Sequence, residues 1–501
     1  MKLACIRACA CVVAIAMTGV PVGAQETQKA AASPERIAEL VKGLGSDDFK
    51  AREAAQKELA QVGSPAKSEL EKAAKGDDME VTQRATALLA AIAQQEADAR
   101  SQAIAKKLMW SVSIDGGAAR APVICGKTLL AIGDDDSFAL NIETGKKLWS
   151  FEAKGDSLLA AAGSVAAVAD NEKVQALDLK TGKLKWKYDS FGGNAPFSVT
   201  AGESAVYVND GGGKLTAIST DEGKELWKVD AASTVRPMFC SGKMLLLAGN
   251  EGQNKGNAKM AMAGMDNILQ AMDVDGGKEL WRYKTDVPIT SFSVGKDAAY
   301  VVRQQDMVAL DLQSGKQLWA CKLPEIVAQV FMRMVVNGRQ VNADSGPCPP
   351  VVVGDTVYVL LGQTLVGVSA KAGEKTVEYK MEDSGDKGQA AVQMRAAMMV
   401  VNGRVQFGGT SSRGQLAFEG QTAYIQRGSK LMAVDVKALK MLWSVDVGGP
   451  LSGPPVLSDG VLYFGTRAGA DVAGNPDQKK ADGLKLEPGV HALKVKAERS
   501  D

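Results

Sequence analysis

The spacing of hydrophobic residues along the chain changes near residue 105. Over residues 33–100 the apolar positions recur at the spacing of a helix, as in Ile37, Leu40, Val41 and Leu44. Gly45 and Gly63 each follow such a stripe and are typical of helix ends, while Asp48 is typical of a helix start. We therefore predict four helices joined by short links, forming a small all-α domain over residues 25–105.

After residue 105 the pattern becomes one of short alternating runs rich in β-branched residues. Residues 197–229, FSVTAGESAVYVNDGGGKLTAISTDEGKELWKV, contain four such runs separated by turns of Gly, Asp and Asn. Four short strands joined by tight turns form one antiparallel sheet, which is the blade of a β-propeller. This part of the chain is therefore predicted to be mainly β.

A tryptophan marks one position of the repeated unit. The spacing is often about 40 residues, which is typical of an array of repeats. The longest interval contains one more unit, TVEYKME, in which we place Tyr379 where the other units have tryptophan. All seven tryptophans of the chain occupy this position: Trp110, Trp149, Trp186, Trp227, Trp281, Trp319 and Trp443.

The two ends of the repeat region complement each other. The stretch KKLMWSVSID, residues 106–115, reads as a fourth strand with no first three, whereas PPVLSDGVLYFGT and GVHALKVKA near the C-terminus read as three strands with no fourth. Pairing them predicts an eight-bladed β-propeller over residues 106–501, closed by N- and C-terminal strands in one blade. The alternative is that Trp110 is a stray tryptophan in a linker.

The segments ALDLKTGKLKW, ALDLQSGKQLW and AMDVDGGKELW resemble the repeats of the quinoprotein (PQQ-like) propeller superfamily, over roughly residues 108–501. The family includes pyrroloquinoline-quinone alcohol dehydrogenases and non-catalytic members. One non-catalytic member is the propeller that assists outer-membrane barrel assembly, and this chain resembles it in style more than it resembles the dehydrogenases. Its dehydrogenases carry an adjacent Cys-Cys disulfide, a Ca²⁺ held by Glu, Asn and Asp, and a catalytic Asp. No two cysteines are adjacent here, so we carry over no ligand and expect neither PQQ nor calcium.

The helical segment has a resemblance of its own. SDDFKAREAAQKELAQVG and DDMEVTQRATALLAAI resemble HEAT-type helical repeats over about 60 residues. Such modules bind partners or pack against a neighbouring domain. Both interpretations stay open.

The N-terminus indicates export. Lys2 and Arg7 precede an apolar run, and small residues at 22–24 suit cleavage after Ala24, so residues 1–24 are predicted to be a signal peptide. The alternative is a membrane anchor, although the run is short for the roughly 20 residues of a spanning helix. Without Lys2 and Arg7 the chain has 57 basic and 58 acidic residues, which offers no footprint for nucleic acid. We expect a periplasmic or extracellular protein that is not inserted in the membrane after cleavage.

Few residue types are available for chemistry. His491 is the single histidine, so any Ser-His or Cys-His arrangement depends on it. Four cysteines lie beyond the signal peptide; Cys321 with Cys348 is the preferred pair for one disulfide, and buried thiols are the default interpretation. Asp134, Asp135 and Asp136 suit either a calcium ion or an ordinary acidic turn. A copper site with soft thioether ligands is a further hypothesis, for Met260, Met262 and Met265. The alternative is that these methionines belong to a flexible apolar loop.

Four insertions interrupt the repeat, and we predict that all four lie on one face of the propeller. Two of them, between blades 5 and 6 and between blades 6 and 7, contain MVVNGR, which predicts a hairpin with an Asn-Gly turn. One interpretation is a partner-binding crest, and the other is a cover for sheet edges. The candidate partner-binding residues are Asn337, Arg339, Asn402 and Arg404.

These observations favour an exported, non-catalytic scaffold that binds a protein or cell-envelope partner through the face with the insertions. We expect no enzymatic activity. The alternatives are a quinone- or metal-dependent periplasmic oxidoreductase and a sensor of a small ligand or metal.

Overall fold

The structure is a computed structural model of the 501-residue chain. It describes residues 33–153, 155, 157–170, 172–191, 196, 198–210, 213–232, 238–249, 266–303, 306–324, 333–336, 339–342, 349–381, 399–401, 404–406, 415–468, 483–484 and 486–495. The predicted signal peptide lies outside these residues. The chain divides into two compact units, the first ending at Gln95 and the second beginning at Glu96.

The first unit is helical, as predicted. The Ser33 side chain accepts a hydrogen bond from the Arg36 backbone at 3.3 Å, and Asp48 accepts one from the Lys50 backbone at 2.9 Å, so each caps the helix that follows it. None of the helices in the described part of the chain is long and apolar enough to cross a membrane. The four helices, with a short 3₁₀ turn at Ser64–Ala66, are α1 (Pro34–Gly43), α2 (Phe49–Val62), α3 (Lys67–Ala73) and α4 (Met79–Ala105).

The helices bury one apolar stripe each. Leu44, Leu59 and Leu70 are fully buried in a shared core that also takes in Leu88 and Ile92 of α4. α4 continues past the division at Gln95, and its Ile104 is buried in the core of the second unit. The resemblance to HEAT repeats stays a prediction.

The second unit is an eight-bladed β-propeller, as predicted. Its first strand is β1 (Leu108–Ser113). Blades 1 and 2 consist of β2 (Val123–Cys125), β3 (Thr128–Ile132), β4 (Ser137–Asn141), β5 (Lys147–Phe151), β6 (Leu158–Ala162), β7 (Val165–Ala169), β8 (Val174–Asp178) and β9 (Leu184–Tyr188). Blade 3 consists of β10 (Ser198–Ala201), β11 (Ala205–Asn209), β12 (Lys214–Ser219) and β13 (Glu225–Asp230).

Blades 4 and 5 share a strand and form one seven-stranded sheet. The shared strand, 16 residues long, is the outer strand of blade 4 and then the inner strand of blade 5. The seven strands are β14 (Phe239–Ser241), β15 (Met244–Gly249), β16 (Asp266–Asp273), the shared β17 (Glu279–Val294), β18 (Ala298–Arg303), β19 (Asp306–Asp311) and β20 (Gln317–Lys322).

The remaining blades are separated by two extra hairpins. The first hairpin is β21 (Arg333–Val336) with β22 (Arg339–Asn342), and blade 6 follows as β23 (Val351–Val353), β24 (Thr356–Leu361), β25 (Thr364–Ser369) and β26 (Lys375–Lys380). The second is β27 (Met399–Val401) with β28 (Arg404–Gln406), and blade 7 follows as β29 (Gln415–Glu419), β30 (Thr422–Arg427), β31 (Lys430–Asp435) and β32 (Lys440–Asp446). The last strands are β33 (Val456–Ser458), β34 (Val461–Thr466) and β35 (Gly489–Lys494).

Blade 8 is built from both ends of the propeller. Its strand order is β1-β35-β34-β33, and Trp110 of β1 lies opposite Ala492 of β35. The Lys494 backbone N–H donates to the Lys107 carbonyl at 2.9 Å, where the other blades have a continuous turn. The predicted closure is therefore confirmed, and the alternative of a stray tryptophan in a linker is wrong.

Tryptophans join each blade to the next. In six of the seven tryptophans, the indole N–H donates a hydrogen bond to a backbone carbonyl of the following blade, at 2.9–3.2 Å. That carbonyl lies in the turn between the third and fourth strands of the blade. A glycine of positive φ in that turn lies against the indole face; at Gly373, with φ +72°, an added Cβ would lie 2.7 Å from the Trp319 ring. The pairs are Trp110 with Gly145, Trp149 with Gly182, Trp186 with Gly223, Trp227 with Gly277, Trp281 with Gly315, and Trp319 with Gly373.

The strand register corrects the assignment of Tyr379. Trp319 lies opposite Ala309, and the equivalent pair in blade 6 is Val377 opposite Gly367. Tyr379 lies opposite Leu365, which is the position of Cys321 in blade 5. A valine thus replaces the tryptophan in blade 6, and in blade 7 the glycine of the turn is replaced by Leu439, at φ +50°.

Candidate functional site

The two faces of the propeller have different connections. In a blade of four antiparallel strands, the first-to-second and third-to-fourth turns lie on one face, here called the turn face. On this face the connections are short, and Lys127 forms an ion pair with Glu143 at 3.0 Å between two neighbouring turns. The second-to-third connections and the links between blades lie on the other face, here called the insertion face.

All four insertions fall on the insertion face. In blade 4 the connection runs from Gly249 to Asp266, and in blade 8 it runs from Thr466 to Gly489. The other two lie between β20 and β23 and between β26 and β29, and they contain the extra hairpins. The strand bounds therefore place every long connection on the same side of the ring.

The two hairpins have the predicted backbone. Val336 pairs with Arg339 across one turn, and Val401 pairs with Arg404 across the other. Asn337 and Asn402 lie outside the described residues, as do the side chains of the two arginines. Partner binding by these four residues stays a prediction.

The blade 8 insertion is anchored at both ends. Where it begins, Arg467 forms an ion pair with Asp134 of blade 1 at 3.0 Å, and the Ala468 backbone donates to the Gly116 carbonyl. Where it ends, the Leu484 backbone donates to the Asp446 carbonyl of blade 7 at 2.7 Å, and the Leu484 side chain is buried against blades 7 and 8. The described ends of this insertion therefore contact blades 1, 7 and 8.

The acidic triplet of blade 1 lies in the turn between β3 and β4, and its first member is the partner of Arg467. Within the described ranges, no group of three or more His, Cys, Asp or Glu side chains is placed to hold a metal ion. The calcium interpretation therefore gains no support from these residues. The sequence did not reveal the Arg467–Asp134 pair because its members are 333 positions apart. The predicted blade 8 closure was the one available signal, since it makes these two loops neighbours.

His491 is fully buried in the middle of blade 8. Its Nδ1 lies 2.8 Å from the Ser111 hydroxyl of β1, and its Nε2 lies 2.8 Å from the Thr466 hydroxyl of β34. Burial lowers the pKa of His491 to about 4, so the imidazole is neutral at physiological pH. Its hydrogen-bond partners among the described residues are two hydroxyls and no carboxylate, so the arrangement is Ser-His-Thr rather than an acid-base triad.

The described cysteines are separate thiols in different blades. Cys125, Cys240 and Cys321 are free, and burial raises the pKa of each thiol, which disfavours the reactive thiolate. Cys348 lies outside the described residues, and its predicted pairing with Cys321 is not supported, because Cys321 is a free thiol. The copper hypothesis at Met260, Met262 and Met265 also falls outside them.

The described residues show no adjacent cysteine pair of the kind that the quinone-dependent dehydrogenases carry. The cysteines of blades 1, 4 and 5 are not adjacent, and no two cysteines of the sequence are neighbours. The inner strands β2, β6 and β23 contain only Val, Ile, Leu, Ala and one Cys, whereas the inner strand β29 contains Gln415 and Glu419.

A family model described as "Outer membrane protein assembly factor BamB" matches residues 98–206 and 170–348, which together span half of the chain. The chain belongs to this family. The BamB family model covers the last turns of α4, β1, all strands of blades 1 to 5 and the first extra hairpin.

Solved structures resemble the propeller at low sequence identity. BamB from Moraxella catarrhalis is 13% identical with a TM-score of 0.52, over 79% of this chain and 98% of that one. The computationally designed Ika8 protein is 11% identical with a TM-score of 0.53, over 78% and 100%. Quinohemoprotein alcohol dehydrogenase from Comamonas testosteroni is 14% identical with a TM-score of 0.50, over 80% and 78%. At these identities the likeness establishes the fold alone.

None of the curated proteins compared with the chain matches it.

Proposed function

We propose that this protein is an exported, non-catalytic propeller that holds protein partners in the cell envelope through its insertion face. The observation that carries the proposal is the placement of all four insertions on one face, two of them with matching hairpins. Binding residues are typically found on loops held by a rigid scaffold, and the blades are such a scaffold. Membership of a family described as an outer membrane protein assembly factor supports the same proposal.

The tryptophans also support a scaffold. Six of the seven use their indole N–H to join neighbouring blades, so these large aromatic side chains stabilise the ring. The charge balance favours protein partners over nucleic acid, since basic and acidic residues are nearly equal in number.

Site-specific photocrosslinking tests this proposal. A photoreactive amino acid is placed at Arg339 or Arg404 on the insertion face, and at Lys127 or Asp355 on the turn face as matched controls. After irradiation in cell-envelope extract, we expect the same partner band from both hairpin positions and none from the control positions. Equal capture from the two faces, or none from either, contradicts the proposal. Stoichiometric retention of pyrroloquinoline quinone with Ca²⁺ by the purified protein would support the oxidoreductase alternative instead.

A further inference from the structure

One side chain connects three strands of the closing blade. His491 belongs to β35, and its two ring nitrogens lie 2.8 Å from hydroxyls on the strands at either side, Ser111 of β1 and Thr466 of β34. β1 has a single neighbour in its sheet, which is β35. The imidazole therefore contributes a side-chain link at the pairing that closes the ring.

The surrounding hydrogen bonds assign the proton of the neutral ring. Thr466 Oγ1 accepts a hydrogen bond from the Gly489 backbone at 3.1 Å and donates its own proton to the Glu487 carbonyl at 3.4 Å. Its second lone pair then accepts from His491 Nε2–H, and His491 Nδ1 accepts from the Ser111 hydroxyl. A second proton on the ring must therefore bind at Nδ1, the nitrogen that faces β1.

Among the described residues, a positive charge on the His491 ring has no carboxylate partner. The charged side chains on the elements around the ring include Lys107 before β1, Arg467 after β34, Lys494 at the end of β35, Glu487 in the preceding loop, and Lys440 and Asp446 at the two ends of β32. None of these groups forms an ion pair with His491 in the described part of the chain, and burial lowers the pKa of the imidazole to about 4. Phe464, whose ring centroid lies 5.2 Å from that of the imidazole, adds an apolar wall.

We propose that His491 is an acid-sensitive latch on the propeller, whose neutral imidazole holds β1 against β35 and whose protonation at Nδ1 releases β1 and opens the ring. Opening exposes the imidazole to water, which removes the cost of the charge. Because the pKa of the ring is higher in the open state, acid shifts the equilibrium towards opening. The stabilisation is complete above pH 6.5 and is lost as the pH falls through the pKa of about 4.

Two measurements on the full chain, prepared without a histidine tag, test the latch. Since His491 is the single histidine, its ring proton NMR signals are assigned without ambiguity, and we expect them to titrate near pH 4 rather than near 6.5. Hydrogen exchange of the β1 backbone amides, corrected for the intrinsic rate, should show an opening constant that rises roughly 30-fold from pH 8 to pH 5. The amides of β4 in blade 1 should show no such rise.

The His491→Gln variant separates this effect from the titration of carboxylates. Glutamine keeps a polar side chain at this position but does not titrate, so the pH dependence of β1 exchange between pH 8 and 5 should become flat. Retention of the full pH dependence in this variant overturns the proposal. If the variant does not fold, the wild-type protein decides: titration near pH 4 together with the rise in β1 exchange supports the latch, and titration near 6.5 or unchanged β1 exchange refutes it.

Discussion

Two neighbouring seams of the ring show two ways to join blades. Between blades 5 and 6, Trp319 donates its indole N–H to the Ala370 carbonyl at 2.9 Å, and its ring lies against Gly373. Between blades 6 and 7, the same positions hold Val377 and Leu439. This second seam is filled by aliphatic side chains and by the ring pair Tyr358–Phe418, whose centroids are 4.5 Å apart.

The two seams indicate that the tryptophan of one blade and the turn glycine of the next blade occur together. Where the indole is present, an added Cβ on the turn glycine would lie under 3.0 Å from it, so a side chain is excluded. Where valine replaces the indole, the next turn carries a leucine in spite of its positive φ. The same blade also has Gly367 opposite Val377, where blade 5 has Ala309 opposite Trp319.

The largest expected effect on stability comes from removing β35, the strand that closes the ring. Both kinds of seam depend on a closed ring. Truncation after Gly489 deletes most of β35 and leaves β1 without its one partner strand. We expect loss of the cooperative thermal transition seen by circular dichroism. Truncation after Val495 is the control and should leave the transition unchanged. A truncated chain that melts within a few degrees of the full chain contradicts the closure.

A smaller effect is expected from placing a leucine in a tryptophan seam. Gly373→Leu adds a side chain that overlaps Trp319 and should lower the free energy of unfolding by about 2–4 kcal/mol in urea titrations. Gly354→Leu is the matched control, since Gly354 has φ +57° with nothing within 4 Å of its added Cβ, and should cost about 1 kcal/mol.

A double variant tests whether the two positions interact. In a Trp319→Val background, the cost of Gly373→Leu should fall to about that of Gly354→Leu, because the overlapping ring is gone. Equal costs of Gly373→Leu in the two backgrounds would show that the two positions act independently.

The smallest effect on stability is expected at the seam between blades 6 and 7. Leu439→Gly relieves the positive φ but loses the contacts of a side chain that is 44% exposed, so the free energy of unfolding should change by less than about 1 kcal/mol. Urea titration measures it. A loss above about 2 kcal/mol would mean that the Leu439 side chain itself holds blades 6 and 7 together.

The repeat made the blades and their closure predictable, because each unit carries its own turns and strands. Tyr379 was placed wrongly because an aromatic residue was sought, although Trp319 follows Gly315 by four positions and Val377 follows Gly373 by four. Counting from the turn glycine would have identified Val377. The environment of His491 depends on the register between β1 and β35, which no local pattern sets. The hairpin backbones followed from the Asn-Gly turns, but no pattern specifies what they bind.

The closing blade also sets an order of events for a chain made from its N-terminus. Ser111 and His491 are 380 positions apart, so β1 is made early and stays without its partner until β35 has been made. Contacts between such distant residues form late, since the entropy of closing so long a loop opposes them. An unfinished chain is an open arc with a free sheet edge at each end, and completion of synthesis is the step that removes both edges.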